Sequence, residues 1–208
     1  DLLTPLRERL FAATGIRWEL QMENSNRTMA LGEQYYGSGV GSDYFICINL
    51  GYGIGAAAME HGELYKGISG TAGELGHITV EKDGPLCTCG NNGCLEALAS
   101  GRAIAQQARN LISSGVKTSI LELTGGDPAK IEAKTVFEAA EKQDMAAVDL
   151  VRKAGEYIGI GIASYINLLD PEIIVLGGGM SNEELLIEQI EKVVKVRRMR
   201  FAGRKVQV

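Results

Sequence analysis

The sequence predicts an α/β protein, and three features carry that expectation. Apolar runs of strand length, Tyr44–Leu50, Gly55–Met59 and Ile173–Leu176, alternate with longer stretches of helical pattern. The run Ile173–Leu176 is continuous and rich in β-branched residues, as in a buried parallel strand. It follows a long, mostly apolar helical stretch, Ala146–Leu169, through the turn pair Asp170-Pro171, and the glycine triplet Gly177-Gly178-Gly179 ends it.

The first helix is predicted from a capping Thr4, with Pro5 in the first turn and Gly15 at the end. Ile16–Met22 reads as a strand. Asn26–Tyr36 reads as a helix anchored by Met29, Leu31 and Tyr35. A glycine turn joins the strands Tyr44–Leu50 and Gly55–Met59, and His61-Gly62 turns tightly into Glu63–Tyr65. His77–Val80 reads as a short strand entering a cysteine-rich loop, and Leu95–Ala99 opens a mostly helical region. That region holds Ala103–Leu111, Thr135–Lys142 and Ala146–Leu169. Gly155, Gly159 and Gly161 each cost the last helix about 1 kcal/mol against alanine, so they imply close packing on a buried face. A helix over Glu183–Val196 and a strand at Val206–Val208 complete the pattern. No internal repeat or low-complexity segment interrupts it.

Bulk properties narrow the function classes. A chain of 208 residues with 45% hydrophobic content can build one good core, or one large lobe and part of another. The net charge is −5, and the only basic cluster is Lys195, Arg197, Arg198, Arg200, Arg204 and Lys205. That cluster complements a helix C-terminus, so direct nucleic-acid binding by this segment is not expected. No apolar run approaches the roughly 20 residues of a membrane span. Three of the four cysteines fall within eight residues, too close for a disulfide framework. Reduced, metal-ligating thiols fit better, and they favour a cytoplasmic setting. Cys47, inside an apolar strand, reads as core.

The chemistry concentrates in His77, Cys87, Cys89 and Cys94. One imidazole and three thiols within eighteen residues match the ligand set of a tetrahedral Zn²⁺. A closed set of four protein ligands implies a structural ion, because catalytic zinc keeps an open position. Glycines and asparagines among the thiols let the backbone fold about a small ion. Glu74 lies three residues before the histidine and Glu96 two after the last cysteine, so the knuckle carries two carboxylates suited to a polyol. Three further segments offer ligand contacts. Glu23-Asn24-Ser25-Asn26 stands where a strand ends and a helix begins; it reads equally as plain N-capping. Asn49-Leu50-Gly51-Tyr52-Gly53-Ile54-Gly55 is a glycine turn that could approach phosphates, although a simple hairpin is the commoner meaning. Gly177-Gly178-Gly179 could admit a nucleotide at a helix N-terminus or serve as a tight βα turn.

Together these segments resemble the ROK family of sugar kinases and sugar-responsive regulators. The resemblance spans nearly the whole chain and is most specific over Gly73-Glu74-Leu75-Gly76-His77 and Cys87 through Glu96. It implies the actin-like, ribonuclease-H-like two-lobed fold with a sugar in the cleft. Residues 1–22 would be the tail of the small lobe and 23–208 most of the large lobe, with the knuckle at 77–94. The first phosphate loop and any winged helix-turn-helix would lie outside this segment of a longer protein. Asn24, Glu74, His77 and Glu96 correspond to the family's sugar ligands. Gly51, Gly53, Gly177, Gly178 and Gly179 correspond to nucleotide-binding loops.

Two departures bear on activity. Kinases of the family place their general-base aspartate where this chain has Ser25, and a serine lacks a pKa suited to that role. The family's phosphate turn carries a small hydroxyl residue where this chain has Tyr52, whose ring would crowd the phosphates. The resemblance therefore implies a sugar-responsive regulator that binds zinc and a sugar or sugar phosphate, with a vestigial nucleotide site and no ATP. It would reach DNA through an N-terminal domain and act as a homodimer or homotetramer. The alternative is an ATP-dependent sugar kinase whose base has been replaced.

Overall fold

The computed structural model describes residues 2–200. Helix α1 (Leu3–Thr14) leads to α2 (Ser25–Tyr36), then to strands β1 (Tyr44–Leu50), β2 (Ile54–Glu60) and β3 (Glu63–Leu64). A 3₁₀ turn at Leu75–His77 precedes the cysteine loop. After it come α3 (Leu95–Ala99), α4 (Gly101–Ser113), α5 (Ser119–Leu123), a 3₁₀ turn at Pro128–Lys130, and α6 (Ala133–Glu141). Helix α7 (Met145–Leu169), strand β4 (Ile173–Gly177) and α8 (Glu184–Arg197) complete the order.

The four strands form one sheet, β3-β2-β1-β4. β1 and β2 are an antiparallel hairpin, in register from Tyr44↔Glu60 to Leu50↔Ile54. β4 returns parallel to β1, from Phe45↔Ile173 to Asn49↔Gly177. That parallel return requires a crossover, which the helical segment between them supplies. The alternation of β1 then sorts its side chains. Ile46, Ile48 and Leu50 join the large core with α3, α4, α6, α7 and α8. Phe45 and Cys47 face the other way, toward Ala57, Met59 and Ala30 of α2. The sheet is thus covered on both faces. Burial drives the Cys47 thiol up to about 12, as expected of a core cysteine.

The glycines of α7 pack as anticipated, on two sides. A Cβ at Gly155 or Gly159 would press on Gln189 or Val193 of α8, whereas one at Gly161 would meet Leu95, Leu75 and Ile78. Helix α7 is therefore wedged between α8 and the segments flanking the cysteine loop. Asp144 caps it, its carboxylate accepting the Ala147 N–H at 3.1 Å.

Three expectations are corrected. Ile16–Met22 is not a strand: a strand exists only with a neighbour to bond, and no described strand lies beside it. It is tied to α1 instead, with Arg7 Nη2 donating to the Leu20 carbonyl and Trp18 Nε1 to Thr14 Oγ1. Thr4 does not cap α1, which starts at Leu3. His77–Val80 is also not a regular strand. Only Thr79 bridges to Cys94, and the Gly93 carbonyl accepts both the Val80 and Glu81 N–H groups, which bends the chain away. The strand expected at Val206–Val208, together with Arg204 and Lys205, lies outside the described residues.

Candidate functional site

His77, Cys87, Cys89 and Cys94 do come together. Their four ligand atoms lie within 4.8 Å of one another. Cys87 Sγ sits 3.6 Å from His77 Nδ1, and Cys89 Sγ 3.6 Å from Cys94 Sγ. Tetrahedral metal–sulfur bonds of about 2.3 Å put two thiolates about 3.8 Å apart, so the donor set fits a metal ion. The loop is tied by its own backbone: Cys87 N–H donates to Asn91 at 2.7 Å, and Gly93 N–H to Pro85 at 2.8 Å. Gly93 is needed there, because its φ is +68° and a Cβ would run into the Glu81 carbonyl.

The thiols are electrostatically unequal. Burial pushes the Cys87 thiol up, but hydrogen bonds from the Cys89 backbone, His77 and the other thiols overcome it and bring it down to about 7. Burial, with the adjacent thiols, drives Cys94 up to about 12. Thiolates this close repel one another, and a bound metal cation would offset that repulsion.

The histidine ring faces two ways. Its Nδ1 points at the thiols, while Nε2 lies 4.0 Å from Glu74 Oε2. Glu74 stands at the start of the 3₁₀ turn that holds His77, and its carbonyl accepts the His77 N–H at 3.0 Å. Glu96, in the first turn of α3, reaches back to the hairpin. Its Oε2 accepts the Ile54 N–H at 3.0 Å, and its Oε1 lies 3.6 Å from Arg102 Nη2. Gly53 leaves the room, since a Cβ there would stand 2.5 Å from that carboxylate.

The start of β2 is the hub. Ile54 holds Glu96, Gly55 abuts Asn26, and the Ala56 N–H donates to the Gly73 carbonyl at 3.2 Å beside Glu74. Asn24 is the N-cap of α2, its side-chain oxygen accepting the Asn26 N–H at 2.8 Å. Its amide nitrogen keeps two donor hydrogens for a ligand. Asn26 Oδ1 in turn accepts from Asn49 Nδ2 at 3.1 Å. Ser25 is the exposed first residue of α2. Two residues before it, Glu23 takes bonds from Lys66 Nζ at 2.8 Å, its neighbour's backbone N–H at 2.9 Å and Arg27 Nη1 at 3.2 Å. Lys66 above all, then the backbone N–H, hold its carboxyl down at about 2.

Behind the hairpin turn lies a cavity of about 660 Å³, bordered by Gly51, Tyr52, Arg102, Phe137, Gly179 and Met180 among others. The Gly51 and Tyr52 carbonyls accept the first two N–H groups of α4, from Gly101 and Arg102. Gly178, at φ +92°, lies against Asn49 and Leu50, where a Cβ would clash. Of the five glycines expected at nucleotide loops, Gly51 and Gly179 border the cavity, Gly53 and Gly178 lie in the turns beside them, and Gly177 ends β4 facing Met29. The Tyr52 ring, 78% exposed, stands at the cavity rim beside Arg102. Sequence reasoning missed the Asn26–Asn49 pair and Arg102. The asparagines fell within quoted motifs and could have been found there, whereas Arg102 carried no local signal.

Fold and site define an α/β protein of the actin-like sugar-kinase type, with a His/Cys metal-ligand cluster. Comparison with protein-family models matches the ROK family over residues 2–208, and the chain belongs to that family. It is 37% identical over 96% of its length to a glucokinase of Thermotoga maritima, and spans 62% of that protein. It is 34% identical over 84% of its length to the Escherichia coli transcriptional dual regulator NagC, spanning 42% of it. Among solved structures, the ROK glucokinase of Streptomyces griseus, in complex with glucose and AMPPNP, superposes with a TM-score of 0.81 at 35% identity, over 98% of this chain and 65% of that one. A ROK-family transcriptional regulator homologous to the E. coli MLC protein gives 0.80 at 32% identity, over 97% of this chain and 50% of that one.

Proposed function

We propose that the chain is the sugar-binding part of a ROK-type transcriptional regulator, with a structural zinc and no phosphoryl transfer. The observation that carries this reading is the base position. Ser25 cannot serve as a general base, and Glu23, the nearest carboxylate in sequence, is held near 2 by Lys66, far from the operating range of a base. The recognition side keeps its chemistry. Zinc on Nδ1 would fix the His77 ring, leaving Nε2 with Glu74, Glu96 and Asn24 to meet the hydroxyls of a sugar or sugar phosphate. Residues 1–22 belong to the small lobe in this reading and 23–208 to the large lobe. Sugar binding would shift lobe closure, and so the spacing of helix-turn-helix heads in a homodimer or homotetramer.

A sugar kinase is the second reading, favoured by the 37% identity to a glucokinase and by the cavity beside the glycine turns. Calorimetry on the full-length protein with glucose, xylose and N-acetylglucosamine, run beside an ATP-consumption assay, separates the two. Sugar binding without sugar-dependent ATP loss is expected; ATP turnover would overturn the regulator reading, and the absence of any sugar binding would overturn both.

A further inference from the structure

The geometry points to Arg102 as a positioning residue that fixes Glu96 for its ligand, an inference that rests on Glu96 being a sugar acceptor. A carboxylate on a flexible side chain is a poor recognition group unless its plane is held, because ordering it costs rotamer entropy at binding. Glu96 is held on both oxygens. The Ile54 N–H takes Oε2 at 3.0 Å, and the Arg102 guanidinium stands 3.6 Å from Oε1. An ionised carboxylate has about four acceptor sites, so hydroxyls still find room after both contacts.

Arg102 is itself anchored. Its backbone N–H donates to the Tyr52 carbonyl at 3.2 Å, which fixes the start of its side chain on the hairpin turn. Its guanidinium carbon lies 5.9 Å from the centroid of the Tyr52 ring, within cation–π range. Tyr52, Arg102 and Glu96 thus form a chain from the cavity rim to the knuckle, in which the Arg102 guanidinium pairs with Glu96. The Ile54 N–H holds the other carboxylate oxygen.

A double-mutant cycle on the full-length, metal-loaded protein tests this. Affinities for glucose, xylose and N-acetylglucosamine are measured by calorimetry for the wild type, Arg102→Met, Glu96→Gln and the double variant, with Arg102→Lys alongside. Arg102→Met should weaken the tightest-binding sugar about two- to fivefold. The same change in the Glu96→Gln background should have no further effect, and Arg102→Lys should recover part of the loss. Equal losses in both backgrounds would assign Arg102 to general structure and overturn the inference, as would unchanged affinity in Arg102→Met. If the wild type binds none of the three sugars, the sugar-site reading itself falls and takes this inference with it.

Discussion

At the scale of single residues, the site is a set of side chains each held by a neighbour. His77 is shared between the thiols and Glu74, Glu96 between the hairpin and Arg102, and Asn24 between capping and a free amide nitrogen. Cys89→Ser tests the dependence of recognition on metal. Cys89 is exposed, so its loss should spare the core while removing a ligand. Elemental analysis should fall from one zinc per chain to none, and calorimetry should show sugar binding lost with it. Retained sugar affinity in the metal-free variant would break that link. Glu23 gives a pH test. Its carboxyl is lowered from 4.5 to about 2, chiefly by Lys66. A depressed carboxylate stabilises the fold above its unfolded value, and that contribution disappears as pH falls through the folded one. The clasp to Lys66 and Arg27 should therefore persist at pH 4 and fail only near pH 2. A carboxyl-carbon NMR titration with a Glu23 midpoint above 4 would contradict it.

At the scale of elements, α7 is the brace of the knuckle. Gly161 lies under Leu95, Leu75 and Ile78, while Gly159 meets Val193 of α8 on the other side. Tyr157 adds a hydrogen bond to Glu81 at 2.8 Å, at the edge of the cysteine loop. Overpacking each glycine should separate these duties. Gly161→Val and Gly159→Val should both destabilise by about 1–3 kcal/mol, but only Gly161→Val should also lower zinc content. Thermal unfolding with metal analysis of both variants checks this, and equal zinc retention would deny α7 the bracing role. Much of this organisation was legible in the chain. The hairpin, the α7 glycines and the His/Cys cluster each follow from a local pattern, such as strand alternation, helix length or ligand spacing. Ile16–Met22 misled because strand propensity says nothing about whether a pairing partner lies alongside. His77–Val80 misled because one carbonyl, that of Gly93, takes two donors, a tertiary detail that no local pattern encodes. Arg102 was invisible for a related reason: its partners, Glu96 and Tyr52, meet it only once α3 and α4 are folded against the hairpin.

At the scale of the whole molecule, the sheet places two chemistries on either side of one hairpin turn. The knuckle, Glu74 and Glu96 gather at the start of β2, and the cavity bordered by Gly51 and Gly179 opens behind the turn. In the kinases that the chain resembles, an aspartate is expected at the position of Ser25, to take the proton of the attacking hydroxyl. Here that place holds Ser25, and Glu23 is committed to Lys66 and Arg27. On the proposed reading the recognition half is kept while the transfer half lacks its base, as a sugar-responsive regulator would require. Relatives of both kinds share this fold at nearly equal TM-scores, 0.81 and 0.80, so the fold does not choose between them and the site must. The most direct measurement is ATP consumption by the full-length, zinc-loaded protein in the presence of whichever of glucose, xylose and N-acetylglucosamine it binds most tightly. The predicted result is a rate no higher with the saturating sugar than without it; a robust sugar-dependent rate would contradict the central claim and return the chain to the kinases.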